Sequence, residues 1–257
     1  MDQASDRISR LGFAPTHLFL QGGESLRKPL IGALVGLSAF LAFAGAASAD
    51  FTQTADITFT KPKANSSSGI KTSIKATETD PTVLQPKAAS NVVVNFPKGT
   101  KFNSKVAKQC KASAGLIQQT NGGACRGTQI GSGLAMANVK PLLNTDVGLT
   151  INAYNATNNH IIFYLVPQAA VGNPLVLTGT IKGNRLTTPV PRIEAVGASG
   201  VFAVLTDFEL VTKAIRAGGS NFLTTPKTCP GKWTTTTNFT YTDGSTSTVT
   251  SDEPCKK

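Results

Sequence analysis

Apolar and polar residues alternate along most of the chain from Phe51 onward, with the period of two that marks half-buried β-strands. Phe51, Ala55, Ile57 and Phe59 open a run that reaches Thr60. Further runs cover 69–77, 90–96, 127–139, 147–154, 160–166, 175–182 and 201–211. Turn-forming residues separate them: Asn65 to Gly69, Asn121-Gly122-Gly123, Asn155 to Asn159, Gly183-Asn184 and Gly218-Gly219. Short strands with Gly-, Asn- and Pro-rich connections predict a mainly β fold, an antiparallel β-sandwich rather than βαβ units.

The C-terminal hairpin is the sharpest local signal. KWTTTTNFTYT and STSTVTS flank Asp243-Gly244, which predicts a two-residue type I′ turn pairing Thr242 with Ser245. Trp233, Thr235, Thr237, Phe239 and Tyr241 then face the core, while Thr234, Thr236, Thr240 and Thr242 face out with Thr246, Thr248 and Thr250. Regular threonine rows can order water or bind sugars, but threonine suits any solvated strand, and that is the reading taken here. One short helix is expected at 103–113. Phe102, Val106 and Cys110 recur at i, i+4 and i+8, and Ser104 is the candidate N-cap.

The first fifty residues read as targeting rather than fold. Arg27-Lys28 precede an apolar run from Leu30 that ends in Ala47-Ser48-Ala49, the layout of a secretory signal peptide cleaved after Ala49. The run is long enough to span a bilayer, so an uncleaved segment would be the membrane contact; its small-residue second half favours cleavage. Residues 1–26 exceed what a signal peptide needs, so translation is expected to start nearer Leu26; cellular peptides from residues 1–20 would contradict this. Residues 1–49 are thus an N-terminal extension and signal peptide, and 50–257 a single exported domain.

Charge and cysteines sharpen this picture. The chain of 257 residues carries +11, with 15% charged residues. Removing 1–49 leaves 21 Lys and Arg against 11 Asp and Glu, and His160 as the remaining histidine. Cys110, Cys125, Cys229 and Cys255 all follow the signal, an even set that predicts two disulfides in an oxidising compartment. Four cysteines allow three pairings. The local one is favoured, because the hairpin register brings Cys255 opposite residue 232, and Pro230-Gly231 can bend the chain back to Cys229.

Chemistry is sparse. No CxxC or His cluster offers a zinc site, and no nucleotide-cradling glycine motif opens a helix, so no metal or cofactor is expected. A Ser-His-Asp triad would have to use His160, which begins a strand. Ser68-Gly69-Ile70-Lys71 matches S-x-x-K without its partner motifs. Asp207 and Glu209 share one face of a strand, about 7 Å apart at Cα, and make a carbohydrate-active hydrolase the alternative function.

Binding is better supported. Lys98, Lys101, Lys105, Lys108 and Lys111 place five cations in fourteen residues with no acid among them. On a helix, Lys101, Lys105 and Lys108 form one ridge, suited to an anionic cell-wall polymer or another polyanion. Nucleic acid is disfavoured by the scarcity of Arg and aromatics in the segment. The expected protein is non-enzymatic, secreted or wall-associated.

The stretch NVVVNFPKGTKFNSKVAKQC…ACRGTQIGSG resembles a pattern in exported β-rich proteins of actinobacteria, carried here by Pro97, Gly99, Phe102, Asn103, Cys110, Cys125, Thr128, Ile130 and Gly131. The resemblance covers about 40 residues well. It implies export and a Cys110–Cys125 bridge, and no activity.

Overall fold

The alternating runs pair edge to edge in one strongly curved sheet, so that one set of side chains points inward along every strand. The computed structural model describes residues 51–168, 172–195 and 200–257; the segment 1–49 lies outside the described residues. The first strands are β1 (Phe51–Phe59), β2 (Ile70–Glu78), β3 (Ala89–Asn95) and β4 (Lys101–Phe102). An α-helix, α1 (Ala114–Gln119), precedes β5 (Gln129–Asn138), β6 (Val147–Asn155), β7 (His160–Pro167), β8 (Leu175–Lys182) and β9 (Arg185–Pro189). Next come β10 (Ile193–Glu194), β11 (Phe202–Thr212), β12 (Arg216–Ala217), β13 (Ser220–Asn221) and β14 (Leu223–Thr224). The hairpin β15 (Lys232–Tyr241) and β16 (Thr246–Pro254) ends the fold.

The wall follows the order β1-β2-β11-β5-β6-β7-β8-β9-β3-β15-β16, and every neighbouring pair is antiparallel. Its two edges meet. The Ile57 N–H donates to Ser251 Oγ at 3.1 Å and the Phe59 N–H to Glu253 Oε2 at 2.9 Å, so side chains of β16 bond the backbone of β1. Just beyond, the Lys256 N–H donates to the Pro62 carbonyl and the Ala64 N–H to the Lys256 carbonyl, both at 2.8 Å. The architecture is a nearly closed barrel.

This corrects the expected sandwich. A barrel wall and a sandwich face share the same two-residue alternation, so the pattern cannot separate them. Glycines help decide the outcome. At Gly133 an added Cβ would press on the Glu209 carbonyl oxygen, and at Gly131 it would lie 2.6 Å from that of Val211. β5 and β11 approach there more closely than any side chain permits, which lets the sheet coil tightly. Apolar side chains point in and the threonine rows of β15 and β16 point out, the reverse of a lipid-embedded barrel. No helix among the described residues is long and apolar enough to cross a membrane.

The helix expected at 103–113 is also corrected. That segment holds one 3₁₀ turn, Ser104–Val106, and otherwise extended chain. Fully buried Asn155 donates its amide to the carbonyls of Ser104, Ala107 and Lys108 at 2.8, 3.0 and 3.0 Å, removing the acceptors a helix would use. Helix α1 forms just downstream, N-capped by Ser113, whose Oγ accepts from the Leu116 N–H. With the disulfide Cys110–Cys125, α1 covers Tyr154, Ile162 and Tyr164 on the outer wall, a second small core.

Hairpin register is shifted by one residue from expectation. Thr240 pairs with Thr246, and the Tyr241 N–H donates to the Ser245 carbonyl, leaving a three-residue loop with Gly244 at φ 83°. The Asp243 carboxylate accepts from both the Ser245 N–H and Oγ, which favours that loop over the two-residue turn. Cys255 therefore sits opposite Gly231, and Cys229–Cys255 closes with a Cα separation of 5.7 Å. Both local disulfides are present.

Burial pushes the Glu253 carboxyl above its ordinary range, and Asp56 adds repulsion, against the lowering effect of the Phe59 N–H. The folded state therefore disfavours the ionised form. The stability linked to the protonated form is full below the unfolded-state pKa and is lost as pH rises through the raised value. Glu253→Gln, which keeps an acceptor and removes the charge, is expected to raise thermal stability at pH 7, with the gain shrinking as the pH falls to about 4. Glu253→Ala orphans the Phe59 N–H and is expected to lose about 1–3 kcal/mol in denaturant unfolding. A Gln variant less stable than wild type at pH 7 would refute this account of the seam.

Candidate functional site

Because each wall strand reverses the last, successive connections fall at alternate ends of the barrel. The segments 60–69, 96–128, 156–159, 183–184, 213–231 and 255–257 lie at one end. They contain thirteen Lys and Arg and no Asp or Glu. The connections at the other end hold Lys87, Lys140 and Arg192 against Asp80, Asp146, Glu194 and Asp243. Charge is segregated along the barrel axis.

The basic end is plugged. Phe59 meets Trp233 edge-on with ring centroids 5.4 Å apart, and Phe96 meets Phe102 at 5.2 Å. Phe222, Leu223 and the Cys229–Cys255 bridge fill the remaining space. β4 pairs with β14 across this end, so the lysine segment is tied to the plug. Lys98, Lys101, Lys105, Lys108 and Lys111 are all exposed, and none makes an ion pair among the described residues. The structure keeps these five cations together without the helical ridge. The Pro97–Thr100 turn, β4, the 3₁₀ turn and the Asn155 clamp present them along a fixed path instead. Beside Lys101 lies a shallow polar hollow lined by Asn65, Asn103, Ser220, Asn221 and Thr224.

The other candidate chemistry is dispersed. Asp207 and Glu209 both address Lys75 on the barrel wall, at 3.3 and 3.6 Å, and hold its ammonium above its usual range. The Ser68 hydroxyl is fully buried, accepting from the Lys61 N–H and donating to the Gly69 carbonyl. His160 opens β7, half-buried. No group of three or more His, Cys, Asp or Glu able to hold a metal occurs among the described residues.

Sequence reasoning missed a cavity of about 430 Å³ inside the barrel. Inward residues at its wall, among them Ile74, Val92, Leu186 and Phe208, remain only half-buried, because they face this space rather than another side chain. It reaches the end opposite the plug, where Gln85, Lys87, Pro191, Arg192 and Phe202 line it. Alternation marks which side chains point inward and says nothing about how much room they leave.

Comparison with protein families, curated proteins and solved structures found no match.

Asn155 is the residue on which the presentation of the lysines depends. Asn155→Ala removes the donor shared by the Ser104, Ala107 and Lys108 carbonyls, of which that of Ser104 keeps the Gln109 amide, and is expected to destabilise the fold by about 1–3 kcal/mol in denaturant unfolding. It should also make the backbone at 104–110 open to limited proteolysis. Unchanged stability and protection would show that the clamp is dispensable.

Proposed function

We propose that this is an exported, non-enzymatic envelope protein that binds an anionic surface polymer through the plugged end of its barrel. The observation that carries this reading is the set of thirteen cations, with no acid, in the connections of that end. A field of one sign attracts a polyanion from a distance and weakens as salt screens it. The polar hollow beside Lys101 adds hydrogen-bonding groups of the kind a sugar or phosphate backbone engages. Both disulfides fit an oxidising compartment outside the cytoplasm. The alternative, a hydrolase acting through Asp207 and Glu209, has less support, since the two carboxylates share Lys75 instead of facing each other across a cleft.

The test is co-sedimentation with Gram-positive cell-wall sacculi across a salt series. Binding should fall as salt rises. Lys101→Glu, Lys105→Glu and Lys108→Glu together should weaken it by about tenfold or more, at roughly 0.5–1 kcal/mol per reversed charge. Lys140→Glu, at the opposite end, should leave it nearly unchanged. Absence of binding at low salt, or equal losses from both variants, would overturn the proposal.

A further inference from the structure

The internal cavity is independent of the basic end and points to a second activity. Its wall is mainly aliphatic and aromatic, with Ile57, Phe163, Leu177 and Phe239 deep and Phe202 near the rim, interrupted by polar residues such as Gln53, Thr72, Thr188 and Asp207. Engineered core cavities of about 150 Å³ stay dry and take up benzene, so about 430 Å³, nearly three times that volume, has room for a chain of about 16–18 carbons. Of the plug connections 60–69, 96–128 and 213–231 only Phe96 lines the cavity, as part of its closed floor, so a ligand must enter from the opposite end.

That entrance has a distinctive chemistry. Arg192 is exposed, lines the cavity and lies with its guanidinium carbon 3.8 Å from the centroid of the Phe202 ring. Stacking on the ring fixes the plane of the guanidinium and leaves its edge for a carboxylate, which arginine binds through paired N–H groups. Among the described residues Arg192 has no carboxylate partner. Lys87 meets Asp243 at 2.9 Å, and Gln85 donates to the carbonyls of Asn138 and Phe202. Asp207, the one acid among the lining residues, gives Oδ2 to Lys75, while its buried Oδ1 has no hydrogen-bond partner.

We propose that the barrel binds one long-chain fatty acid, with the alkyl tail in the cavity and the carboxylate on Arg192. A single-chain acidic lipid satisfies both halves of the site, and a neutral chain of the same length satisfies only the wall.

The test is native mass spectrometry and titration of the purified chain with hexadecanoate and with hexadecan-1-ol. Hexadecanoate should bind one per chain, about tenfold more tightly than the alcohol. Arg192→Gln, on an exposed rim, should erase that preference while leaving alcohol binding unchanged. Val92→Trp should exclude both ligands; circular dichroism establishes whether it folds, and the Arg192→Gln comparison decides the matter if it does not. Lys101→Glu, Lys105→Glu and Lys108→Glu together should leave lipid binding intact, so failure here is separable from failure at the basic end. No binding of hexadecanoate, several ligands per chain, or an acid preference that survives Arg192→Gln would overturn the proposal.

Discussion

Eleven strands, each antiparallel to its neighbours, cannot close on themselves by the same rule. The count is odd, so β1 and β16 meet running in the same direction. The antiparallel ladder has no continuation across that seam, yet an open pair of edges would leave backbone groups without partners. Ser251 and Glu253 resolve the conflict by offering side-chain oxygens to the Ile57 and Phe59 N–H groups. The solution places a carboxyl group where burial disfavours its charge. It also explains why the terminal residues Lys256 and Cys255 are bonded into the fold through Pro62, Ala64 and Cys229, since the seam would otherwise fray from its end.

Closure in this form has a further consequence for charge. In an all-antiparallel wall, the parity of a connection decides the end at which it lies. The long connections 96–128 and 213–231 fall at the same end, and they supply nine of the thirteen cations there. The same two segments supply Phe102, Phe222 and Leu223 to the plug. Anchoring and presentation thus share one piece of chain: the apolar residues fix it and the lysines between them are left in solvent. Loops of 15 and 26 residues closed by disulfides add about 3 kcal/mol each in the chain-entropy view, beside the core packing of Phe59, Phe96, Phe222, Leu223 and Trp233.

Much of the wall was legible in the sequence because burial on one side imposes a two-residue period that few other arrangements satisfy. The strand from 175 to 182 and the inward row Trp233, Thr235, Thr237, Phe239 and Tyr241 lie where the alternation places them. What failed depended on partners distant in the chain. Strand β9 is only five residues with two inward positions, too short to show a period. The apolar spacing of Phe102, Val106 and Cys110 mimicked a helix, whereas the backbone there answers to Asn155, about 50 residues away. The hairpin turned on one carboxylate, Asp243, choosing Ser245. For the sites, the lysine cluster could be found because charge is a property of composition. The cavity could not, since its volume is set by which strands face each other across the barrel.

The plug links the two ends in a way neither end reveals alone. Phe59, Phe96 and Trp233 stand between the exposed lysines and the apolar cavity, so a ligand inside has one way in and out. A protein held by its basic end on an anionic polymer would turn its entrance outward, away from the charged matrix. At the entrance end Asp243 is matched by Lys87, and among the described residues Arg192 has no carboxylate partner. Cations and cavity mouth lie at opposed ends, and a barrel with an even number of strands and the same loops would still separate them. The odd count adds the buried carboxylate at the seam, and with it the sensitivity of the scaffold to pH.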